Sequence, residues 1–176
     1  MKALLTLSCL AAGLLLSAPH MARAEAPAQS RKQIAAVVET FRTALIKKDK
    51  EAFLRLFVKE DIVWIGVTTD ASVEMLYANR PRPELKRPPK LFPGTLRGFI
   101  DAVAKDPTPV DEIFSNLRIE TDGEVAQVWF DYIFMEGSYK GNWGKESWQL
   151  VRLESGWKIA SVIWSQELNP TPPPKR

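Results

Sequence analysis

Two alternating stretches in the second half of the chain hold the residues best suited to chemistry. Ala126, Val128, Phe130, Tyr132 and Phe134 form an apolar and aromatic row that carries one phenolic hydroxyl. Glu146, Trp148 and Leu150 repeat the pattern with a carboxyl at one end. Alternate residues of a strand share a face, so a carboxyl and a phenol would stand among rings. Such surroundings raise a carboxyl's pKa, and an acid so perturbed can move a proton on an apolar substrate. Glu146 is therefore the candidate base, and Tyr132 the candidate hydrogen-bond donor to a ligand oxygen. A rim glutamate paired with a lysine and a core tyrosine bonded to backbone are the plainer accounts of the same residues. Asp131 falls in the opposite row, with Val125, Gln127, Trp129, Ile133 and Met135, and should face away from any cavity.

Other chemistries are excluded by composition. The chain has one histidine, His20, and one cysteine, Cys9, both in a segment that reads as a leader. Lys2 precedes an uncharged apolar run from Ala3 to Ala18, and Ala22-Arg23-Ala24 offers a small-x-small cleavage site. That run is shorter than the roughly 20 residues a transmembrane helix requires. Cleavage after Ala24 would leave an exported chain, periplasmic or secreted, with neither thiol nor imidazole. Serine–histidine and cysteine–histidine nucleophiles are then impossible. Zinc would have carboxylates alone, which it seldom uses, so no metal and no cofactor is expected. Removing Lys2 and Arg23 from the 24 basic residues leaves 22 against 21 acidic ones, a net charge of +1. That balance gives no nucleic-acid footprint, and no membrane association is expected once the leader is gone.

The elements that must position these side chains follow from periodicity. Ser30 with Gln33 reads as a capping box ahead of Ile34, Val37, Val38, Phe41 and Leu45, a long amphipathic helix. Asp49 caps a second helix carrying Phe53, Leu56 and Phe57, and Thr95 caps a third carrying Leu96, Phe99, Ile100 and Val103. Ile62–Val67 reads as a strand, and Ala71–Asn79 as a helical turn or two. Residues 80–93 combine five prolines with five basic side chains, which forbids helix and sheet interior. This basic loop is either a lid reaching toward an anionic ligand group or a solvated insertion. Four strands follow: Ile113–Thr121, Glu124–Met135, Asn142–Leu153 and Trp157–Gln166, with Asp122-Gly123 as a two-residue turn. Residues 25–29 and the proline-rich end, 169–176, read as flexible and disordered.

The order helix, helix, strand, loop, helix and four hairpin-linked strands specifies an α+β domain over about residues 30–168, a curved antiparallel sheet wrapped around about three helices. Such a cone leaves a cavity where the helices do not fill it.

The stretches Asp122–Trp129, Tyr132-Ile133-Phe134, Glu146–Arg152 and Gly156–Ser161 resemble the nuclear transport factor 2-like superfamily, and within it the exported lumazine-binding-like branch. The resemblance spans most of the mature chain and is carried by a hairpin turn, core aromatics and a Gly-Trp-Lys turn. It implies a cone-shaped fold that hosts ketosteroid isomerases, polyketide cyclases, dehydratases and non-catalytic binding or dimerising domains, so it chooses no function. Close lookalikes carry His-Cys-Gly where this chain has Asn142-Trp143-Gly144, and any role of those residues is lost here.

The leading expectation is a cavity lined by Trp64, Phe130, Tyr132, Phe134, Glu146 and Trp148 that binds a small apolar or aromatic molecule. The alternatives are a proton-transfer isomerase, cyclase or dehydratase using Glu146 and Tyr132, and a pure interaction module whose own aromatics fill the cone. Trp129, Ile133 and Met135 on the outer sheet face suggest a homodimer interface. Intact mass spectrometry of protein recovered from the envelope or medium of a bacterial host should give a chain beginning at Glu25. A mass that retains Met1 would remove the export expectation.

Overall fold

A computed structural model of the chain describes residues 27–92 and 94–173. The leader expected at 1–24 lies outside the described residues. The first helix, α1 (Pro27–Lys47), is already helical at Pro27, so Ser30 is a buried residue inside it rather than its cap, and residues 27–29 are ordered rather than flexible. Ile34, Val38, Phe41 and Leu45 are buried at the spacing that one helical face requires. Lys48 ends the helix by entering the left-handed region at φ 54°. Its N–H donates to Leu45 O at 3.0 Å, and that of Asp49 donates to Ala44 O at 2.9 Å. The Lys48 ammonium then donates to the carbonyl of Thr108 at 2.9 Å, tying this corner to the start of the sheet.

Asp49 caps α2 (Lys50–Leu54) by accepting from Ala52 N at 2.9 Å. The strand β1 (Val63–Thr68) leads into α3 (Asp70–Ala78), the short helix expected near Ala71–Asn79, which starts one residue earlier because Thr69 caps it and Asp70 sits in its first turn. Four helices therefore precede the main strands. The fourth, α4 (Leu96–Lys105), starts where Thr95 Oγ1 accepts from Gly98 N at 3.0 Å.

The proline-rich segment is not wholly irregular. Leu91 and Phe92 form a short strand, β2, paired antiparallel with β1 through Gly66 and Val67. Three of its cations turn to α3 and not to the cavity: Arg87 pairs with Glu74, Lys90 lies 2.9 Å from Asp70, and Arg80 stacks 4.2 Å from the Tyr77 ring, while Arg82 lies 3.9 Å from Glu84 within the segment. This is the solvated-insertion alternative, with one addition: the segment delivers Phe92 to the sheet.

Four long strands complete the fold: β3 (Val110–Thr121), β4 (Val125–Glu136), β5 (Tyr139–Leu153) and β6 (Gly156–Leu168). Together with the first two they make a six-stranded sheet of order β2-β1-β6-β5-β4-β3. The sheet is not all antiparallel, because β1 runs parallel to β6 from Val63 beside Ser161 to Thr68 beside Gln166. The tight two-residue turns fall between Glu136 and Tyr139 and between Leu153 and Gly156. At the Asp122-Gly123 connection, Asp122 Oδ1 instead accepts from the N–H groups of both Glu124 and Val125, each at 2.9 Å, closing a longer loop. Residues 169–173, expected to be disordered, lie against the β4–β5 turn, where Tyr139 Oη donates to Thr171 O at 2.8 Å.

Register shifts between Ser115 and Arg118, at Phe134/Met135 and at Gln149/Leu150 bend the sheet around α1, which packs against β3. Phe41 of α1 anchors the core beneath, 4.9 Å from Phe53 and 4.8 Å from Trp148 by ring centroids. Gly144 is the tightest point of the sheet, since a Cβ there would stand 2.0 Å from the Ser165 carbonyl oxygen on β6. Gly144→Ala should therefore cost about 3 kcal/mol or more of stability. A thermal denaturation midpoint unchanged from the parent chain would contradict this packing.

Candidate functional site

The concave face collects side chains from all six strands and from α1 and α4. On β4 the inward row is the one expected, with Phe130, Tyr132 and Phe134 between β3 and β5. On β5, Glu146 stands beside Phe130 and Asn142 beside Phe134; on β3, Glu112 stands beside Phe134 from the opposite side. Tyr132 faces Gly144, whose missing side chain lets the phenol lie across β5. There Tyr132 Oη lies 3.0 Å from Asn142 Oδ1 and 3.1 Å from Ser165 O, with its proton shared between these acceptors.

These residues enclose a cavity of about 160 Å³ lined by Phe41, Trp64, Phe92, Phe99, Glu112, Tyr132, Phe134, Asn142, Glu146, Trp164 and Gln166. Of the six residues expected to line it, Trp64, Tyr132, Phe134 and Glu146 do so. Phe130 and Trp148 do not: both are fully buried behind the wall, their rings 5.0 Å apart and nearly perpendicular. They support the site without reaching a ligand, because α1 closes over them through Phe41. The cone is thus neither empty throughout nor filled by its own aromatics.

Glu146 is 5 % exposed, not a rim residue. The residue that sequence reasoning missed is Glu112, 4 % exposed and hydrogen-bonded to Glu146. Its strand begins at Val110 and not at Ile113, so the acid was left outside the pattern. Extending the alternation back through Phe114 and Glu112 to Val110 would have placed a carboxyl in an apolar row.

Glu146 Oε2 also accepts from Trp148 Nε1 at 2.7 Å. Removal from water raises the pKa of both acids, and the negative charge of Glu146 further opposes ionisation of Glu112. Burial pushes Glu146 up to about 7, against the lowering effect of its two hydrogen bonds. Glu112 is raised well above the ordinary carboxyl value, first by burial and then by Glu146. Burial and the two carboxyls together hold the Tyr132 phenol far above its usual value, so it stays protonated. The pair therefore shares a proton near neutrality, and its ionisation belongs to both groups.

Outside the cavity, Asp131 faces away as expected, held by Lys145 and by Asn116 Nδ2 at 2.6 Å. Trp129 is 42 % exposed on the outer face, while Ile133 and Met135 are half-buried there. Among the described residues no three histidine, cysteine, aspartate or glutamate side chains are placed to hold a metal ion.

No family model and no curated protein matches this chain. Solved structures do. An NTF2-like protein of unknown function from Shewanella baltica superposes with a TM-score of 0.56 at 18 % identity, covering 82 % of this chain and 99 % of its own. An NTF2-like protein with a cystatin-like fold from Novosphingobium aromaticivorans gives 0.55 at 13 % identity, over 78 % of this chain and 82 % of its own. A third, from Streptomyces avermitilis and provisionally named a dehydratase of the NTF2-like family, gives 0.52 at 15 % identity, over 82 % and 100 %. This is the NTF2-like, cystatin-like fold. The likeness reaches the fold and no finer branch.

A folded-state pKa above the unfolded one means that the native state holds the extra proton between the two values. For Glu146 that window runs from 4.5 to about 7. Its contribution is complete below the window and is lost as pH rises through it, on the order of 3 kcal/mol for a fully buried group. Urea denaturation from pH 5 to 8 should show stability falling with pH. The double variant Glu112→Gln, Glu146→Gln should flatten that trend, and a parent profile already flat would contradict the buried pair.

Proposed function

We propose that the cavity is a metal-free proton-transfer site acting on a small apolar or aromatic molecule that bears a carbonyl or hydroxyl group. The observation that carries this reading is the burial of Glu112 and Glu146 together at the cavity wall. An apolar ligand gains nothing from two carboxyls, and burying them costs several kcal/mol. A cavity built for binding alone would have apolar residues there. Proton transfer near neutral pH gives them a use, since a general base works best with a pKa near the ambient pH.

In this reading the ionised Glu146 removes a proton from carbon next to the substrate carbonyl, and returns it at a second position or lets a leaving group depart. Glu112, neutral, holds the hydrogen bond that orients Glu146. Tyr132 is a positioning residue and not an oxyanion donor, because its proton already lies between Asn142 Oδ1 and Ser165 O. That contact fixes the Asn142 amide and leaves its Nδ2, with the Gln166 amide, as the cavity donors suited to a developing enolate oxygen. A provisional dehydratase name on the Streptomyces avermitilis structure of this fold is in keeping with this reading.

The test is exchange of α-protons of small cyclic ketones and enones into deuterium oxide, followed by NMR. Exchange should rise with pH through about 7, where Glu146 ionises. Glu146→Gln should lower it by about 10²-fold or more. Exchange no faster than buffer across the panel, or equal in the variant, would leave simple binding as the surviving account.

We also propose export, as its leader pattern suggests, and a homodimer formed through the outer sheet face. Ile113, Trp129, Ile163 and Ile65 lie exposed on that face. Around them stand Arg118 and Lys145 with Glu120 and Asp131, so both charge signs are available for the self-complementary contact a two-fold axis needs. Light scattering after size exclusion should give twice the chain mass, and Trp129→Lys should give the single mass. A monomer at high concentration would end the dimer proposal.

A further inference from the structure

Four of the aromatic residues that line the cavity also line a second hollow. Trp64, Phe92, Phe99 and Trp164 face an open vestibule of about 740 Å³, completed by Gly94, Thr95, Gly98 and Ala102 at the start of α4. The two spaces meet at this aromatic ring, where Trp64 lies 5.2 Å from Trp164 and 5.4 Å from Phe99 by centroids.

Their chemistry differs sharply. The inner chamber holds two carboxyls, two amides and a phenol. The vestibule lining contains no charged residue; besides the two indole N–H groups its polar side chain is Thr95, whose Oγ1 accepts from Gly98 N–H. Their sizes differ too. A chamber of about 160 Å³ takes one six-membered ring, since a cavity of roughly 150 Å³ holds benzene. The vestibule, at about 740 Å³, is in the range of whole drug-sized ligands.

The dividing ring is built into the chain. Trp164 lies across β1 because Gly66 has no side chain, and a Cβ there would stand 2.6 Å from the indole Cε2 and Cζ2. Phe92 is placed by its pairing with Gly66 and stays 50 % exposed although it is aromatic. Half-exposed rings around an uncharged hollow are what a ligand's apolar part would cover.

We propose that the site is bipartite and that its substrate is amphipathic: a compact oxygenated head, no larger than one ring, joined to a hydrocarbon body that lies in the vestibule. The head enters past Trp64 and Trp164 to reach Glu146, and the body remains on Phe92, Phe99 and Ala102. This rests on the reading of the inner chamber as the place of chemistry. It adds that binding energy comes mainly from outside that chamber.

The test uses phenol and 4-alkylphenols up to hexyl, below their aggregation limits, with binding followed by tryptophan fluorescence and calorimetry. Affinity should rise about threefold to fourfold for each methylene added, as expected for burial of hydrocarbon. Ala102→Trp fills the vestibule from an exposed helix position remote from the acids. It should flatten the chain-length dependence and lower hexylphenol affinity more than phenol affinity. Phe92→Ala removes a ring shared by both spaces and should weaken hexylphenol more than phenol, with circular dichroism confirming that both variants fold. The Glu112→Gln, Glu146→Gln variant should retain the chain-length slope while losing proton exchange. A slope absent in the parent, or unchanged in both Ala102→Trp and Phe92→Ala, overturns the bipartite site even where phenol binding and exchange persist. Absence of exchange in the parent chain with the slope intact overturns only the proton-transfer reading.

Discussion

Everything at the concave face depends on keeping two carboxyls out of water. Isolated ionised carboxylates could not stay there, because their desolvation exceeds what an ordinary fold can offset. The structure meets this in three ways. Glu112 and Glu146 hydrogen-bond each other, Trp148 Nε1 donates to Glu146, and protonation removes charge until the pH is near neutral. Each solution requires rigidity. The Trp148 donor holds its position because Phe41, Phe114 and Phe130 crowd its ring, with centroids between 4.8 and 6.2 Å away. The fully buried aromatics that do not touch the cavity are therefore part of how it works.

Backbone fit sets how closely these groups converge. Glu112 and Glu146 sit on strands separated by β4, and the sheet must curl for them to meet over it. The register shift at Ser115/Arg118, where Asn116 takes a φ of 55°, contributes that curl on one side. On the other, Gly144 lets the Ser165 backbone come close enough to receive the Tyr132 hydroxyl. Outside the cavity, Arg42 grips Asp111 with two hydrogen bonds of 2.8 and 2.9 Å, fastening α1 to the same strand that carries Glu112. A carboxyl with a cation partner stands next in sequence to one without any, and strand alternation alone separates their fates.

How much of this was legible from residues alone depended on the range of the signal. The helical stripe of Ile34, Val38, Phe41 and Leu45 and the caps at Asp49 and Thr95 are local patterns, and the structure keeps them. The alternation on β4 correctly separated Tyr132 from Asp131. What failed was long-range. The parallel pairing of β1 with β6 has no local signature, and neither does the closing of α1 over Phe130 and Trp148. Glu112 was hidden by a strand boundary set three residues late, where Asp106-Pro107 and Pro109 mask the start of the pattern. The two-residue turns fell at Gly137 and before Gly156 rather than at Asp122-Gly123, because the Asp122 carboxylate competes for backbone N–H groups there.

A described domain without histidine must obtain a group that titrates near neutrality from another side chain. Burial does this for Glu146, but the same displacement has two effects that cannot be separated. The proton whose loss creates a base is also the proton that makes the buried pair tolerable, so conditions that favour proton abstraction weaken the fold. A ligand moderates that conflict. When an apolar body fills the aromatic mouth it excludes water from the chamber and adds binding energy to the native state alone. In a bipartite site that energy is drawn from Phe92, Phe99 and Ala102, none of which takes part in the hydrogen bonds of the carboxyls. The acids can then be tuned for reactivity and the vestibule for affinity, with the ring of Trp64 and Trp164 between them.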